Sequence, residues 1–356
     1  MKLSTIAILA AVIFLTRCSR HENSVQQGAV PSAAASLAPS AAGGSKAPLS
    51  QQGRDPALFP AYLDQLKTEA LAKGIDAGIA QQAFAQAHFV DRVISADRNQ
   101  PEQKVSLDDY LQRTLPAWKI ARAQEMYRLY QPQLAPVSAR YGVPARYIVA
   151  LWGMESGFGK IQGHEDVISA LSTLAFEGRR EAFFKNELFA ALRILGQNNI
   201  TLDQLKGSWA GAMGQSQFMP SSYLRYGADG DNDGKIDIWN NVADVFASTA
   251  NYLATEGWNG DQGWGRAVRL PAGFPADKAG LKDPQGQTVS DWSRQGISLP
   301  DGGPLQASPQ RAWVIIPDDT PNRGYLVYDN FRTLMRWNRS YYFAISIGTL
   351  ADALAQ

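Results

Sequence analysis

Trp152-Gly153-Met154-Glu155-Ser156-Gly157-Phe158-Gly159 decides how this chain is read. Tyr141-Gly142-Val143-Pro144 breaks the chain just before it, and Pro144 suits the first turn of a new helix. That helix is predicted from Ala145 to about Glu155. It is apolar nearly all round, through Ile148, Val149, Leu151, Trp152 and Met154, so it is a buried helix. Glu155 ends it, and a glycine-rich turn follows. Apolar surroundings disfavour an ionised carboxyl, and so does the negative end of a helix dipole. Both raise its pKa toward the range a general acid needs near neutrality. Glycines beside it would let a polymer approach without side-chain obstruction. The alternative is a Glu that turns to solvent at a helix end capped by Gly157.

Two more stretches carry chemistry. Ser208-Trp209-Ala210-Gly211-Ala212-Met213-Gly214-Gln215-Ser216-Gln217-Phe218-Met219-Pro220 interleaves small, apolar and amide residues. It suits a cleft wall where Ser208, Gln217 and the backbone meet the N-acetyl and hydroxyl groups of a sugar. A glycine-rich turn that packs a core would look the same. Asp229-Gly230-Asp231-Asn232-Asp233-Gly234-Lys235-Ile236-Asp237 matches the first part of an EF-hand calcium loop. Asp229, Asp231 and Asp233 take the first three ligand positions, Gly234 the sharp bend, and the Lys235 carbonyl the next ligand. The match then fails, because Asn240 stands where a bidentate Glu belongs. Asp244, four residues on, is the replacement expected. Carboxylates this close repel unless a cation lies between them. The alternative is a solvated Asp/Gly turn. A calcium ion here would be structural.

Composition narrows the chemistry. The chain has 356 residues, 34 Lys+Arg against 33 Asp+Glu, and 45% hydrophobic residues, which suits one large domain or a few small ones. Near-neutral charge argues against nucleic acid as partner. The 3 His and the single Cys, Cys18, leave no Cys–His nucleophile pair and no zinc motif. An apolar run from Thr5 to Thr16 follows Lys2; it is shorter than the ~20 residues of a membrane span and reads as a secretory signal. Leu15-Thr16-Arg17-Cys18 suggests a lipoprotein cleavage site, although Arg17 stands where a small residue is usual. Residues 19–54 form an Ala/Ser/Pro-rich linker. A protein of the periplasmic side of the bacterial envelope is expected, possibly an outer-membrane lipoprotein anchored through Cys18.

The remaining texture predicts short amphipathic helices over Pro56–Gln86. One or two longer helices are expected over Ser106–Ala139, with Leu111, Leu115, Trp118 and Ile120 on one side. Helices are also expected at Ala182–Leu195, Asn241–Glu256 and Phe331–Leu354. Short β runs fall at Ala267–Leu270 and Trp313–Ile316. The domain reading is a leader at 1–18, the linker at 19–54, a helical domain at 55–143, a catalytic core at 144–262, a small β domain at 263–326, and a return to the core at 327–356.

Taken in order, Glu155 in its setting, Arg179-Arg180, Gly211 to Tyr223, and the acidic loop before Ala250-Asn251-Tyr252-Leu253 resemble the membrane-bound lytic murein transglycosylase B family, glycoside hydrolase family 103. The resemblance runs from about Asp55 to the C-terminus. It implies an α+β, mainly α fold: a lysozyme-like core, a helical domain and a small β insertion. It implies cleavage of the β-1,4 bond between N-acetylmuramic acid and N-acetylglucosamine in peptidoglycan, without water, leaving a 1,6-anhydro end. Glu155 matches the family's single catalytic acid/base. Ser208, Gln217 and Phe218 match cleft positions, Arg179 and Arg180 an arginine pair facing the peptide or carboxylate side of the glycan, Tyr110 a groove tyrosine, and Asn338 an asparagine near the carboxylate. Trp337 stands where a Tyr can occur; stacking on sugar is what the ring would keep. Asp229, Asp231, Asp233, the Lys235 carbonyl and Asp244 match calcium ligands. The implied partners are glycan strands and, through Cys18, a membrane; no organic cofactor, no nucleic acid and a monomer are expected. A hydrolase on the same bond, or a calcium-stabilised wall-binding lipoprotein without activity, are the other readings.

Overall fold

The computed structural model describes residues 54–98, 105–197 and 200–355. The leader, Cys18 and nearly all of the linker lie outside these residues. Three helices open the fold: α1 (Phe59–Ala72), α2 (Ala77–Gln86) and α3 (Asp91–Arg98). Asp76 caps α2 by accepting the Ile79 amide at 3.0 Å.

The segment expected as one or two helices is three: α4 (Leu107–Thr114), α5 (Ala117–Leu129) and α6 (Gln131–Tyr141). Pro116 disfavours helix at Leu115 and restarts it at Ala117, and Pro132 lies in the first turn of α6. The restart resets the helical phase. Trp118 therefore does not share the face of Leu111 and Leu115, and it is 68% exposed. In α7 (Ala145–Ser156) every residue but Arg146 is buried, as its apolar circumference requires. Helix α8 (Val167–Glu177) is buried along its whole length. It offers no polar stripe, so periodicity did not reveal it. Then follow α9 (Glu181–Gln197), α10 (Pro220–Tyr226) and α11 (Val242–Thr255). A two-residue pair, β1 (Glu165–Asp166) and β2 (Lys206–Gly207), ties the loops between them.

Strands β3 (Gly265–Arg269), β4 (Gln287–Thr288), β5 (Arg311–Ile315) and β6 (Arg323–Val327) form an antiparallel sheet ordered β3-β6-β5-β4. Alternation along β5 sends Ala312 and Val314 to a small core around α12 (Val289–Arg294), and Trp313 and Ile315 to the main core. Trp292 anchors the small core by donating to the Ala312 carbonyl at 2.9 Å. Finally α13 (Asp329–Trp337) and α14 (Tyr341–Ala353) return, and α14 packs on α7. The Trp264 indole seals this return: it donates to Asp352 at 2.9 Å and lies where a Cβ on Gly348 would sit 2.2 Å from the ring. The fold is α+β and mainly α.

Candidate active site

Glu155 lies one residue from the end of α7, and Gly157 and Phe158 turn the chain with φ of 58° and 62°. Its side chain does not swing to solvent; Glu155 is 8% exposed. Burial pushes its carboxyl up from 4.5 to about 7, while the Trp337 N–H and the charge of Lys119 pull it back down. Two of the three neighbouring glycines are not open ground for a polymer. A Cβ on Gly153 would meet the Phe158 ring at 2.7 Å, and one on Gly159 would meet Gln215 at 2.4 Å. Phe158 and Gln215 fill the space over Gly153 and Gly159, whereas Gly157 faces open space and serves as the left-handed cap of α7. Gln215 in turn accepts from the Trp152 indole at 2.7 Å and donates to the Trp239 carbonyl at 2.9 Å.

Three distant elements bring groups to bear on the carboxyl, and two further rings pack behind one of them. Trp337, at the end of α13, donates its indole N–H to Glu155 Oε1 at 2.6 Å. The ring therefore holds the carboxylate, where stacking on sugar was expected of it. Phe218 is 3% exposed, with its ring 5.3 Å from Trp337; it backs the indole from inside rather than lining an open wall. Tyr252 of α11 packs the indole at 4.6 Å. Tyr110 of α4 lies within the field of Glu155; burial first, and then that charge, push its phenol up to about 12. Lys119 of α5 feels Glu155 too, and its Nζ touches the Met154 sulfur at 3.7 Å. Sequence reasoning missed Lys119. Nothing in residue type marks it, because its relation to Glu155 exists only once α5 packs on α7. Asn338 follows Trp337, and its Oδ1 is buried without a hydrogen-bond partner, an acceptor left open beside the site.

Ser208 and Gln217 are half-buried. Ser208 Oγ accepts the Ala210 and Ala212 amides at 3.3 and 3.1 Å, which leaves its hydrogen to donate. Gln217 spends its amide hydrogens on the Gln162 and Gly214 carbonyls at 3.1 and 2.8 Å, so its oxygen is the part offered. Arg179 is bound up in an ion pair with Asp97 and another with Glu177 at 2.7 Å. Arg180 lies over the Phe183 ring at 4.4 Å.

The other acids near Glu155 in sequence are all engaged elsewhere. Glu165 pairs with Arg92 at 2.7 Å, and Asp166 caps α8. Glu177 pairs with Arg98 at 2.8 Å and with Arg179, and Glu181 with Arg54 at 3.0 Å. Among the described residues, no carboxylate acts on Glu155 strongly enough to move its pKa.

Residues 58–352 match the family model of the transglycosylase SLT domain. The chain belongs to this family. It is a peptidoglycan lytic transglycosylase. Membrane-bound lytic murein transglycosylase B of Escherichia coli (strain K12) is 31% identical over 299 residues, 79% of each chain. SltB3 of Pseudomonas aeruginosa, solved with NAG-anhNAM-pentapeptide, is 40% identical with a TM-score of 0.79 over 83% of this chain and 79% of that one. The lytic transglycosylase SLT35 of Escherichia coli, solved with calcium, is 29% identical with a TM-score of 0.71 over 83% of this chain and 92% of that one.

The acidic loop of this lytic transglycosylase precedes α11. Asp229, Asp231 and Asp244 each bring a carboxylate oxygen within 4.8 Å of the others. Asp244, in the first turn of α11, is 0% exposed, and burial and then the charges of Asp231 and Asp229 push its carboxyl up against the pull of two backbone amides. Those amides are Gly230 at 2.7 Å and Asp237 at 2.6 Å. They place Asp244 where the loop motif lacks its last acid. A buried carboxylate facing two others is a donor set that a hard divalent cation fits. Asp233 turns instead to the Lys235 amide at 2.8 Å. No described helix is long and apolar enough to cross a membrane.

Proposed function

We propose that Glu155 is the single acid/base of this lytic transglycosylase, and that it cuts the β-1,4 bond between N-acetylmuramic acid and N-acetylglucosamine to leave a 1,6-anhydromuramyl end. The observation that carries this is a carboxyl buried at the end of α7 and held by the Trp337 N–H, with its pKa pushed up by burial and, among the described residues, no second carboxylate acting on it. A hydrolase that uses water needs two carboxyls flanking the bond. One suffices when the nucleophile is a hydroxyl of the substrate. Protonated Glu155 gives its proton to the leaving glycosidic oxygen as the C1–O4 bond breaks. As carboxylate it takes the proton of the muramyl 6-hydroxyl as O6 bonds to C1. The acid form is restored and no water enters. A nucleophile already on the substrate supplies much of the rate through its positioning.

Ser208 and Gln217 fit a role in holding the N-acetyl and hydroxyl groups of the glycan, and Asn338, next to Trp337 in the chain, offers a further acceptor. Arg180 is the member of the arginine pair better placed to meet an anionic group, since Arg179 is already bound to two carboxylates. A structural calcium ion would be held by Asp229, Asp231 and Asp244 with the Lys235 carbonyl, and Asp233 would join them only by turning from the Lys235 amide toward the ion. It would neutralise the acidic loop and secure the start of α11, which carries Tyr252 behind Trp337. An envelope location fits the membrane-bound relative, with Cys18 as the anchor suggested by sequence.

Digestion of purified peptidoglycan by the segment from Asp55 onward, read by mass spectrometry, tests the reading. Products one water lighter than hydrolytic ones, resistant to borohydride and absent with Glu155→Gln, are expected. Reducible, hydrated products would make it a hydrolase. Binding without fragments from a folded protein would make it a wall-binding module.

A further inference from the structure

Trp337 reaches Glu155 across 182 residues of sequence, and the contact is a 2.6 Å hydrogen bond to one defined oxygen, Oε1. An indole N–H donates and never accepts. Oε1 already gives a lone pair to this bond and is the weaker base, so Oε2 is the oxygen left to carry the proton. We propose that Trp337 is a positioning residue that assigns both proton transfers of the reaction to Oε2 of Glu155. This rests on the reading of Glu155 as the acid/base.

The indole is fixed for this task. The Phe218 ring lies 5.3 Å away on one side and the Tyr252 ring 4.6 Å away on another. Phe218 is itself pinned by paired backbone hydrogen bonds with Met213, at 2.8 and 3.1 Å. A tyrosine here would behave differently, since a phenol donates or accepts and would leave either oxygen able to carry the proton. With Trp337, one oxygen releases the proton to the glycosidic O4 and the same oxygen recovers it from the 6-hydroxyl. The carboxylate does not have to rotate between the two steps. The other charged group that moves the Glu155 carboxyl is Lys119 from α5, and the Tyr110 phenol from α4 lies within the field of Glu155. A smaller side chain at 337 would also admit water beside the carboxyl, which lowers its pKa, so an upward shift of the limb reports the lost hydrogen bond.

The test begins with the unmodified protein. In the 15N-labelled chain, the Trp337 indole N–H resonance should titrate with the ionisation of Glu155, and it should be flat in Glu155→Gln. Trp337→Phe should lower kcat by about tenfold, with KM little changed, through loss of carboxylate alignment. Its alkaline limb should move up by about one pH unit, because a hydrogen bond to the charged form is gone. Trp337→Tyr, which restores a donor, should return the limb toward wild type while kcat recovers only in part. A flat indole resonance in the wild type would overturn the proposal. So would Trp337→Phe with the wild-type limb, or equal losses in both variants without any shift. A Glu155→Gln protein that still turns over would instead overturn the acid/base reading, and the indole titration would be unaffected by that result.

Discussion

The Lys119 ammonium lies 3.7 Å from the sulfur of Met154, the residue immediately before Glu155. A thioether is a poor acceptor, so this cation is weakly satisfied where it sits. Burial lowers its pKa, and the charge of Glu155 opposes that. In return Lys119 holds the Glu155 carboxyl lower than burial alone would leave it.

The first prediction concerns that balance. The acid form of Glu155 starts the reaction, so activity should fall as pH rises through about 7. Lys119→Met removes the cation that favours the carboxylate, and the alkaline limb should move to higher pH. Lys119→Arg should leave it near wild type. Rates of peptidoglycan solubilisation across pH would show this, and a limb unmoved in Lys119→Met would refute it.

A second prediction concerns stability. The folded-state pKa of Glu155 is raised from 4.5 to about 7, so the folded protein binds the proton more tightly than the unfolded chain. The stabilisation this brings is complete below about pH 4.5 and lost as pH rises through about 7. At about 1.4 kcal/mol per unit, Glu155→Gln should be more stable than wild type near pH 8 by up to roughly 3 kcal/mol. The gain should shrink toward acid pH. Urea titrations at both ends of the range measure it; a difference independent of pH would contradict the burial argument.

Calcium should stabilise the chain and a chelator should destabilise it. At a hundredfold excess over Kd the gain is roughly 3 kcal/mol. Asp244→Asn keeps the packing around a fully buried side chain but removes its charge, so its melting temperature should no longer respond to calcium. A wild-type melting temperature that is the same with calcium and with chelator would end the calcium reading.

Two glycines with similar backbone angles should respond differently to alanine. Gly142 has φ of +65° and no atom within 4 Å of an added Cβ, so Gly142→Ala should cost roughly 1 kcal/mol. Gly163 has φ of +83°, and its Cβ would lie 2.1 Å from the Gly207 carbonyl oxygen. That approach sets the turn after Glu155 against the strand leading into Ser208. Gly163→Ala should cost roughly 3 kcal/mol or more, and activity should suffer with it. Denaturation of the two variants side by side decides the matter, and equal stabilities would show that the close approach is relieved at little cost.

Much of the fold was legible because apolar periodicity and turn chemistry are local. The all-round apolar run around Ile148 and Trp152 reads as a buried helix and is one. Ala267–Leu270 and Trp313–Ile316 read as strands and fall on β3 and β5. Helix α8 escaped notice because a helix buried on every side has no stripe to detect. Trp118 falls off the face that periodicity predicts for it because Pro116 resets the turn count between it and Leu115.

What the sequence by itself determined is the chemistry each local pattern permits. It put a carboxyl at the end of an apolar helix, an acidic loop missing its last ligand, and a family resemblance spanning the folded part. Tertiary structure decided which groups meet. It brought the Trp337 N–H to one oxygen of Glu155, Lys119 into the field of that carboxyl, and Asp244 onto the open corner of the acidic loop. It also turned Phe218 inward, tied Arg179 to two acids and packed Phe158 over Gly153 and Gln215 over Gly159. The reason is physical. Periodicity records which side of an element must leave water, and that requirement is met by any apolar partner. A hydrogen bond or a shifted pKa depends on which partner arrives and at what distance, and packing between elements far apart in sequence sets both.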